Sequence, residues 1–472
     1  MPLSLLLLAF ALPAPLALPL PLPGPAGQVI ERVACETDPT QSYALYLPSS
    51  YSPDRPWPIV FLMDPGGRAL VPLRLFAPAA ERRGYILVSS YDTLSDGPAA
   101  PNVKAMNAML PDVRQRYAMD PQRLYLAGFS GTARMSWEFG TLLKGHVAGI
   151  IGFGGGLPQG FSLSEAPGFA FFGGAGTTDF NYEEMRSLDA RLARIGAAHR
   201  FRSYDGAHSW GSAPTCAEAI DWMEVQAMRA GLRDKSAPVV EEIFSAWMED
   251  ARAQEASGDP YAAAARYRGI VADLSELRET GAAASKADEL ARTKSARRTA
   301  SLVEKLAAWQ KAYETRFFSF ITRFASSIPP PPLEDSLGQL QITALTARAA
   351  GQDDPLEALA ARRLLAQVLV HTSYYLPRDF MERKDPGRAL AILKIAARIK
   401  PGSPGICLGL ARARAQIGQK AQAIEDLRCV LAAPEGIDAA SIENDPYLAP
   451  LQDEPGYREI LDLFRTAKPP AP

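Results

Sequence analysis

Short runs of β-branched, aromatic and other apolar residues alternate with amphipathic stretches along the first half of this chain, from about residue 28 to 230. The runs are "YALYLP", "WPIVFLMD", "YILVSS", "RLYLAG", "VAGIIGFGG" and "GFAFFGG", and several are apolar enough for strands buried on both faces. The stretches between them, such as "AMNAMLPDVRQRY", "TARMSWEFGTLL" and "YEEMRSLDARLARIG", are typical of helices. Because strands that alternate with helices need crossover connections, this half is predicted to be α/β, with a doubly wound, mostly parallel sheet.

The second half lacks strand signals after "RDKSAP" and is rich in Ala, Leu and Arg at helical spacing. Small and apolar positions recur with a period of 34 residues, since Ala389, Leu393 and Ala396 are followed by Ala423, Leu427 and Val430. A similar unit begins near Trp247, whereas residues 280–378 are helical but off this period. The positions resemble the tetratricopeptide repeat, in which small residues let paired helices approach closely. This half is therefore predicted to be an all-α, tetratricopeptide-like repeat domain.

These patterns divide the chain into four parts. Residues 1–27 are a signal peptide or a disordered, Pro-rich tail, and residues 28–232 form the α/β domain. Residues 233–378 form a helical region with one tetratricopeptide-like unit and a degenerate middle. Residues 379–472 hold the tetratricopeptide-like repeats and a C-terminal tail.

The N-terminal part is apolar for more than twenty residues, but the prolines at positions 13, 15, 19, 21 and 23 interrupt any membrane-spanning helix. The small residues Gly24 and Ala26 favour a secretory signal cleaved near Ala26, with a disordered tail as the alternative. We therefore expect a secreted or periplasmic protein without a transmembrane segment. Export would permit disulfides, and the four cysteines suggest the pairs Cys35 with Cys216 and Cys407 with Cys429.

The charge balance argues against a nucleic-acid partner. Lys and Arg number 50 and Asp and Glu number 52, so the chain has no excess of positive charge for a phosphate backbone. The four histidines show neither helical i, i+4 spacing nor a Cys/His cluster, and we therefore expect no zinc or iron site.

Ser130 lies between a predicted buried strand, "PQRLYLAG", and a predicted helix, "TARMSWEFGTLL". A serine in such a strand-to-helix turn, with Gly128 two residues before it, occupies the position of a nucleophile elbow. The helix N-terminus favours negative charge that develops there. Ser130 is therefore the candidate nucleophile.

A serine hydroxyl needs a base, and the base needs a carboxylate to orient it. Asp179 follows the predicted strand "GFAFFGG", and His208 follows the predicted strand "HRFRSYDG". Both positions lie at the carboxyl ends of strands, beside Ser130. Asp205 is a competing acid, but its place before Gly206 favours a role in the turn.

Acyl transfer also needs two hydrogen-bond donors for the oxyanion. The N–H of Gly131, directly after the candidate nucleophile, is the first. The second is expected from Gly66 or Gly67 in the loop "DPGGRA", whose alternative interpretation is an ordinary turn. Aromatic residues at predicted strand ends could hold an acyl or aromatic group or serve ordinary packing: Tyr91, Phe129, Phe180, Tyr182 and Trp210.

Four segments now carry a resemblance to a known family: "YALYLPSSYSPDRPWPIVFLMDPGG", "DPQRLYLAGFSGTARMS", "GTTDFNY" and "GAHSW". In this order they resemble α/β-hydrolases of the esterase group that includes polyhydroxyalkanoate depolymerases and feruloyl or acetyl-xylan esterases. The resemblance implies a serine esterase with a catalytic triad of Ser130, Asp179 and His208. It also implies an acyl-enzyme, no metal or organic cofactor, and a small-molecule or polymeric ester as substrate.

Two positions depart from the family pattern. Asp64 and Pro65 stand where His-Gly is usual, which places a carboxylate beside the oxyanion loop unless Arg68 pairs with it. Thr132 stands where glycine is usual, and its β-branched side chain is expected to crowd the elbow. On that basis, replacing Thr132 by glycine is expected to leave activity equal or higher.

Two other functions stay open. One is a peptidase of the prolyl oligopeptidase type, which shares the order of triad residues but has a large N-terminal propeller that this chain lacks. The other is a catalytically silent hydrolase-fold scaffold whose helical repeats bind a protein partner. Repeat arrays usually bind peptides or proteins, so the helical half is expected to recruit a partner, pack on the catalytic domain or mediate self-association.

Overall fold

The computed structural model describes residues 24–432 and 437–466. The described residues fall into two compact units, the first ending at Leu302 and the second beginning at Val303. The predicted N-terminal signal or tail lies, up to residue 23, outside the described residues. Among the residues described, no helix is both long and apolar enough to cross a membrane.

The first unit is built around an eight-stranded sheet with the order β1-β2-β4-β3-β5-β6-β7-β8. β2 is antiparallel to β1 and β4, and all other neighbours are parallel. The mostly parallel α/β sheet predicted from the sequence is therefore confirmed. The strands are β1 Val29–Ala34, β2 Ser42–Tyr46, β3 Trp57–Met63, β4 Ile86–Ser90, β5 Met119–Phe129, β6 Val147–Phe153, β7 Ala170–Gly176 and β8 His199–Tyr204.

Five helices cover the two faces of the sheet. Two of them share an apolar core with one face: α1 Leu70–Arg83 and α5 Ala213–Arg229. Three share the core of the opposite face: α2 Ala100–Arg116, α3 Gly131–Leu142 and α4 Tyr182–Arg194. The sheet is thus doubly wound, and the carboxyl ends of β5, β7 and β8 open on one edge.

Two elements of this unit were not predicted. α1 contains Pro72 and Pro78, which hide its helical pattern, although Pro72 lies in the first turn, where its missing N–H costs nothing. β1 is a half-exposed edge strand with the sequence "VIERVA", so it lacks the continuous apolar run of its neighbours.

Three further helices pack in the same core as α5: α6 Ala237–Ala256, α7 Pro260–Leu274 and α8 Gly281–Ala291. Trp247 of α6 lies under the guanidinium of Arg200 from β8, 3.9 Å from ring centre to Cζ. Helix α9, Lys294–Ser326, runs across the boundary between the two units. The first unit therefore combines the sheet with helices that follow it in the chain.

All of the regular secondary structure described in the second unit is helical. After α9 come α10 Leu333–Gln339, α11 Ile342–Ala350, α12 Pro355–Val370, a π-helix His371–Tyr375, α13 Leu376–Glu382, α14 Pro386–Ile399, α15 Pro404–Gln416, α16 Lys420–Ala432, α17 Ala439–Glu443, a 3-10 helix Pro446–Leu451 and α18 Pro455–Thr466. The repeat positions on α14 and α16 are buried. Their assignment to the tetratricopeptide family stays a prediction.

One of the two suggested cysteine pairs is present. Cys407 and Cys429 form a disulfide that joins α15 to α16. The other pair is wrong, because Cys35 and Cys216 are free and buried in the cores on opposite faces of the sheet. Burial, with Asp112 nearby, raises the pKa of the Cys35 thiol to about 12, so it stays protonated at neutral pH.

Candidate active site

Ser130 lies in the turn between the end of β5 and the start of α3. Its φ of 55° and ψ of −123° are a backbone conformation that few non-glycine residues adopt, and such strain is typical of functional turns. Gly128 makes the turn possible, since a Cβ there would lie 2.4 Å from the carbonyl oxygen of Thr132. The Ser130 N–H donates to the Phe153 carbonyl at 2.8 Å, which fixes the elbow to β6.

The structure brings Ser130, His208 and Asp179 together. His208 Nε2 lies 2.9 Å from Ser130 Oγ, and His208 Nδ1 lies 2.9 Å from Asp179 Oδ1. The Asp179 side chain is fully buried, whereas 21% of the His208 side chain is exposed. The imidazole thus bridges the buried carboxylate of Asp179 and the hydroxyl of Ser130, as proton transfer from the serine requires.

Neighbouring groups hold the carboxylate and the imidazole in place. Asp179 Oδ1 also accepts the N–H of Asn181 at 2.8 Å, and Asn181 Nδ2 donates to the Gly154 carbonyl at 2.7 Å. The rings of Phe129 and Phe180 flank His208, with centroids 4.6 and 4.2 Å from the imidazole. Asn181 was not singled out from the sequence, because its amide acts on a glycine carbonyl 27 positions away.

Asp205, the competing acid, lies elsewhere. It is exposed, and its carboxylate is 3.5 Å from the hydroxyl of Thr177. The carboxylate that contacts His208 is that of Asp179.

Asp64 is fully buried at the end of β3 and is surrounded by donors. Arg68 donates to both carboxylate oxygens, at 2.9 and 3.1 Å, and Trp210 Nε1 donates to Oδ2 at 2.8 Å. The backbone N–H groups of Gly66 and Arg68 complete the shell. Burial opposes the charged form, but these hydrogen bonds outweigh it and hold the pKa of Asp64 below its ordinary value. The carboxylate beside the oxyanion loop is therefore paired, as Arg68 suggested.

The predicted oxyanion donors differ in their environment. Gly131 is the first residue of α3, so its N–H has no acceptor within the helix. The N–H of Gly66 donates to Asp64 Oδ1 at 2.9 Å, and the N–H of Gly67 donates to the Asp64 carbonyl at 3.2 Å. Both are engaged inside their own loop, so the second donor predicted there is not available in this geometry.

Thr132 makes hydrogen bonds at the elbow that the sequence did not indicate, and the expected crowding stays a prediction. Its side chain is buried in the first turn of α3, with Oγ1 2.5 Å from the Met63 carbonyl and 2.8 Å from that of Phe129. The same oxygen accepts the N–H of Phe129 at 3.1 Å. Thr132 therefore links the end of β3 to the elbow.

The aromatic residues predicted at the strand ends do not all lie at the candidate site. Phe129 and Phe180 contact His208, and Trp210 packs on Phe129 with ring centres 5.9 Å apart. Tyr182 packs edge-on against Phe201 of β8, 5.7 Å between centroids.

Tyr91 contributes to a cavity of about 440 Å³ that Leu94 and Lys104 also line. Its hydroxyl donates to the Glu31 carbonyl at 2.6 Å.

As for metals, no group of three or more His, Cys, Asp or Glu side chains in residues 24–432 and 437–466 is arranged to hold an ion.

Comparison with known proteins gives solved structures only. No protein-family model and no curated protein matches the chain. A carboxylesterase from Mesorhizobium loti is 20% identical and matches over 41% of this chain and 99% of its own, with a TM-score of 0.32. A fluorophosphonate-binding serine hydrolase of Staphylococcus aureus is 15% identical over 42% and 99%, with a TM-score of 0.33. An S-formylglutathione hydrolase of the same organism is 14% identical over 39% and 92%, with a TM-score of 0.31.

Proposed function

We propose that the protein is a serine hydrolase that cleaves carboxylic esters through an acyl-enzyme on Ser130. The observation that supports this function is the continuous hydrogen-bonded series from Ser130 through His208 to the buried Asp179. A nucleophile, a base and an orienting carboxylate within hydrogen-bond reach are the parts that acyl transfer needs.

Each group has a defined task in this reaction. His208 Nε2 takes the Ser130 proton as Oγ bonds to the ester carbonyl carbon, and the electron pair of the carbonyl moves to its oxygen. The Asp179 carboxylate stabilises the imidazolium that forms. When the tetrahedral intermediate collapses, the alcohol leaves with the proton from His208. Water then repeats these steps on the acyl group and releases the acid and free Ser130.

Asp64 and Thr132 depart from the family pattern and are therefore the residues that would favour the silent-scaffold alternative. The Asp64 carboxylate is neutralised by Arg68 and bonded by Trp210, so it does not present a bare negative charge to an oxyanion. The Thr132 hydroxyl bonds the backbone at the elbow. Neither residue, in these surroundings, gives a physical reason for an inactive Ser130.

A fluorophosphonate probe and p-nitrophenyl acetate together test the proposal. The wild-type protein is expected to be labelled and to turn over the ester, and Ser130→Ala is expected to lose both while keeping its circular dichroism spectrum. Ser245→Ala, which alters an exposed serine on α6, is the matched control and is expected to behave as wild type. A folded wild-type protein with neither labelling nor turnover would favour the scaffold.

We also propose that the protein is exported. The disulfide between Cys407 and Cys429 is consistent with an oxidising compartment. Cell fractionation and N-terminal sequencing are expected to find the mature chain outside the cytoplasm, beginning after Ala26. Recovery of the intact N-terminus from the cytoplasm would overturn this proposal. A protein or peptide ligand of the helical repeats stays a prediction.

A further inference from the structure

The loop after β3 cannot supply the second oxyanion donor as it stands. Three consecutive N–H groups, those of Gly66, Gly67 and Arg68, all donate to atoms of Asp64. Asp64 is itself held by Trp210, so freeing one of these N–H groups would disturb a buried, fully bonded carboxylate. Of the three predicted donors, only the N–H of Gly131 is therefore left for an oxyanion that usually receives two hydrogen bonds.

The side chain of Ser95 lies directly against Gly131. A Cβ built on Gly131 would lie 2.5 Å from Ser95 Cβ and 3.3 Å from Ser95 Oγ. Ser95 thus occupies the space that a side chain at position 131 would fill. Because Gly131 has no side chain, the side chain of Ser95 packs against the first residue after the nucleophile.

The backbone around Ser95 is fixed to the oxyanion loop. The Ser95 N–H donates to the Pro65 carbonyl at 2.9 Å, and Leu94 forms a β-bridge with Gly66. The side chain of Asn102 bonds both the N–H and the carbonyl of Leu94, at 2.9 and 2.7 Å. The backbone that carries Ser95 is therefore held from both sides, so that only the side chain has to turn to serve an oxyanion.

The next residue has an unusual backbone. Asp96 has a φ of 58° and is one of four non-glycine residues with a positive value in the described part of the chain. Ser95 Oγ donates to Asp96 Oδ2 at 2.9 Å. Asp96 is exposed, so its carboxylate is solvated. In the resting protein the Ser95 hydroxyl donates its hydrogen bond to this carboxylate. Rotation about the Ser95 Cα–Cβ bond would be needed to direct the hydroxyl to an oxyanion.

We propose that the Ser95 hydroxyl is the second donor of the oxyanion hole, an inference that rests on the proposed esterase function. When Ser130 Oγ bonds to the carbonyl carbon, the displaced electron pair resides on the carbonyl oxygen. That oxygen accepts hydrogen bonds from the Gly131 N–H and from the Ser95 O–H. Ser95 keeps its proton throughout, and the Ser130 proton goes to His208. Ser95 is thus a catalytic residue that acts on the transition state.

Steady-state kinetics with p-nitrophenyl acetate test the role of Ser95. Ser95→Ala is expected to lower kcat roughly 10²- to 10³-fold with little change in KM, the loss typical of one oxyanion donor. Its affinity for phenylboronic acid, which forms a tetrahedral adduct on a nucleophilic serine, is expected to fall by a similar factor. Asp96→Asn weakens the resting acceptor, which competes with the oxyanion for the Ser95 hydroxyl, and is expected to raise kcat. Ser245→Ala is the neutral control.

The outcomes separate this inference from the proposed function. One outcome would overturn the role of Ser95 alone. In it, Ser130→Ala abolishes turnover, but the kcat of Ser95→Ala stays within about threefold of wild type, a loss far smaller than that of one oxyanion donor. Equal losses in Ser95→Ala and Asp96→Asn would also overturn it, because they would indicate only a structural role for the loop. A folded wild-type protein without labelling or turnover would overturn both proposals.

Discussion

Two polar clusters lie at opposite ends of β5 and differ in what they expose. At the carboxyl end, Ser130 and His208 are partly open to solvent. At the other end, Glu224 of α5 is fully buried and bonded by Arg123, Tyr85 and Arg233. Both clusters are rich in titratable groups, so the number of such groups does not distinguish them.

The two clusters differ in solvent exposure and in backbone strain. Ser130 has a positive φ and is partly exposed, whereas Arg123 has no positive φ and is buried. Burial raises the pKa of Tyr85 well above its ordinary value, which keeps the phenol protonated beside Glu224. We infer that the Glu224 cluster stabilises the fold and the Ser130 cluster performs chemistry. The predictions below test this division.

The largest effect is expected for His208→Ala. Without its base, Ser130 is a weak nucleophile, and kcat/KM for p-nitrophenyl acetate should fall roughly 10⁴-fold or more. His199→Ala is a matched control, because this histidine is 20% exposed and lies 3.4 Å from the carboxylate of Asp189. Undiminished turnover in His208→Ala, or an equal loss in His199→Ala, would break the assignment of His208.

The next largest effect concerns stability at the other end of β5. Glu224→Gln leaves Arg123 and Arg233 without a countercharge, so the free energy of unfolding should fall by about 3–5 kcal/mol. The kcat of the folded variant should stay close to wild type. Urea denaturation and ester turnover measure the two quantities.

Glu242→Gln is the control for this stability effect. Its carboxylate also pairs with arginines, but its side chain is 52% exposed. The expected cost is therefore below about 1 kcal/mol. Loss of kcat in a fully folded Glu224→Gln protein would show that the two clusters are not functionally separate.

Much of the sheet could be predicted, because interior strands of a parallel sheet are continuous apolar runs. β3 and β7 are buried at every residue, and each matches a run in the sequence. β1 could not be predicted, since an edge strand needs few apolar residues. Helix α1 could not be predicted either, because Pro78 lacks the N–H for one of the helical hydrogen bonds. The packing of this helix on the sheet compensates for that loss.

The meeting of Ser130, Asp179 and His208 was also predictable from the chain. Each follows a strand of a parallel sheet, and the carboxyl ends of such strands share one edge. The hydrogen bond from Trp210 to Asp64 joins residues 146 positions apart and leaves no local signal. Ser95 was missed for the same reason, since its contact with Gly131 exists only in the folded chain.

A smaller effect is expected for Asp64→Asn, and it depends on pH. The folded-state pKa lies below the ordinary value of 3.8, so the carboxylate contributes stability in full above that pH. The variant should be less stable at pH 7 by about 2 kcal/mol, because the Trp210 bond is buried but Arg68 is largely exposed. The difference should shrink as the pH falls below 3.8 through the folded-state pKa.

Urea denaturation of both proteins between pH 3 and 8 would measure this difference. Asp54→Asn, on an exposed loop, is the control for a change of net charge. A gap between wild type and Asp64→Asn that stays constant down to pH 3 would contradict the paired-carboxylate interpretation.

The smallest effect is expected at Thr132, which makes hydrogen bonds at the elbow that the sequence did not indicate. Thr132→Val keeps the shape but leaves the Met63 carbonyl and the Phe129 N–H without the hydroxyl, so unfolding should be easier by about 1.5 kcal/mol. Thr132→Ser keeps the hydroxyl and loses one methyl group, at about 0.8 kcal/mol. Thermal denaturation and ester turnover of these two variants and of Thr132→Gly separate the contribution of the hydroxyl from that of side-chain volume. A Thr132→Gly protein that is as stable as wild type and more active would favour crowding of the elbow as the explanation. In that case the hydrogen bonds from β3 to the elbow would have no role in catalysis.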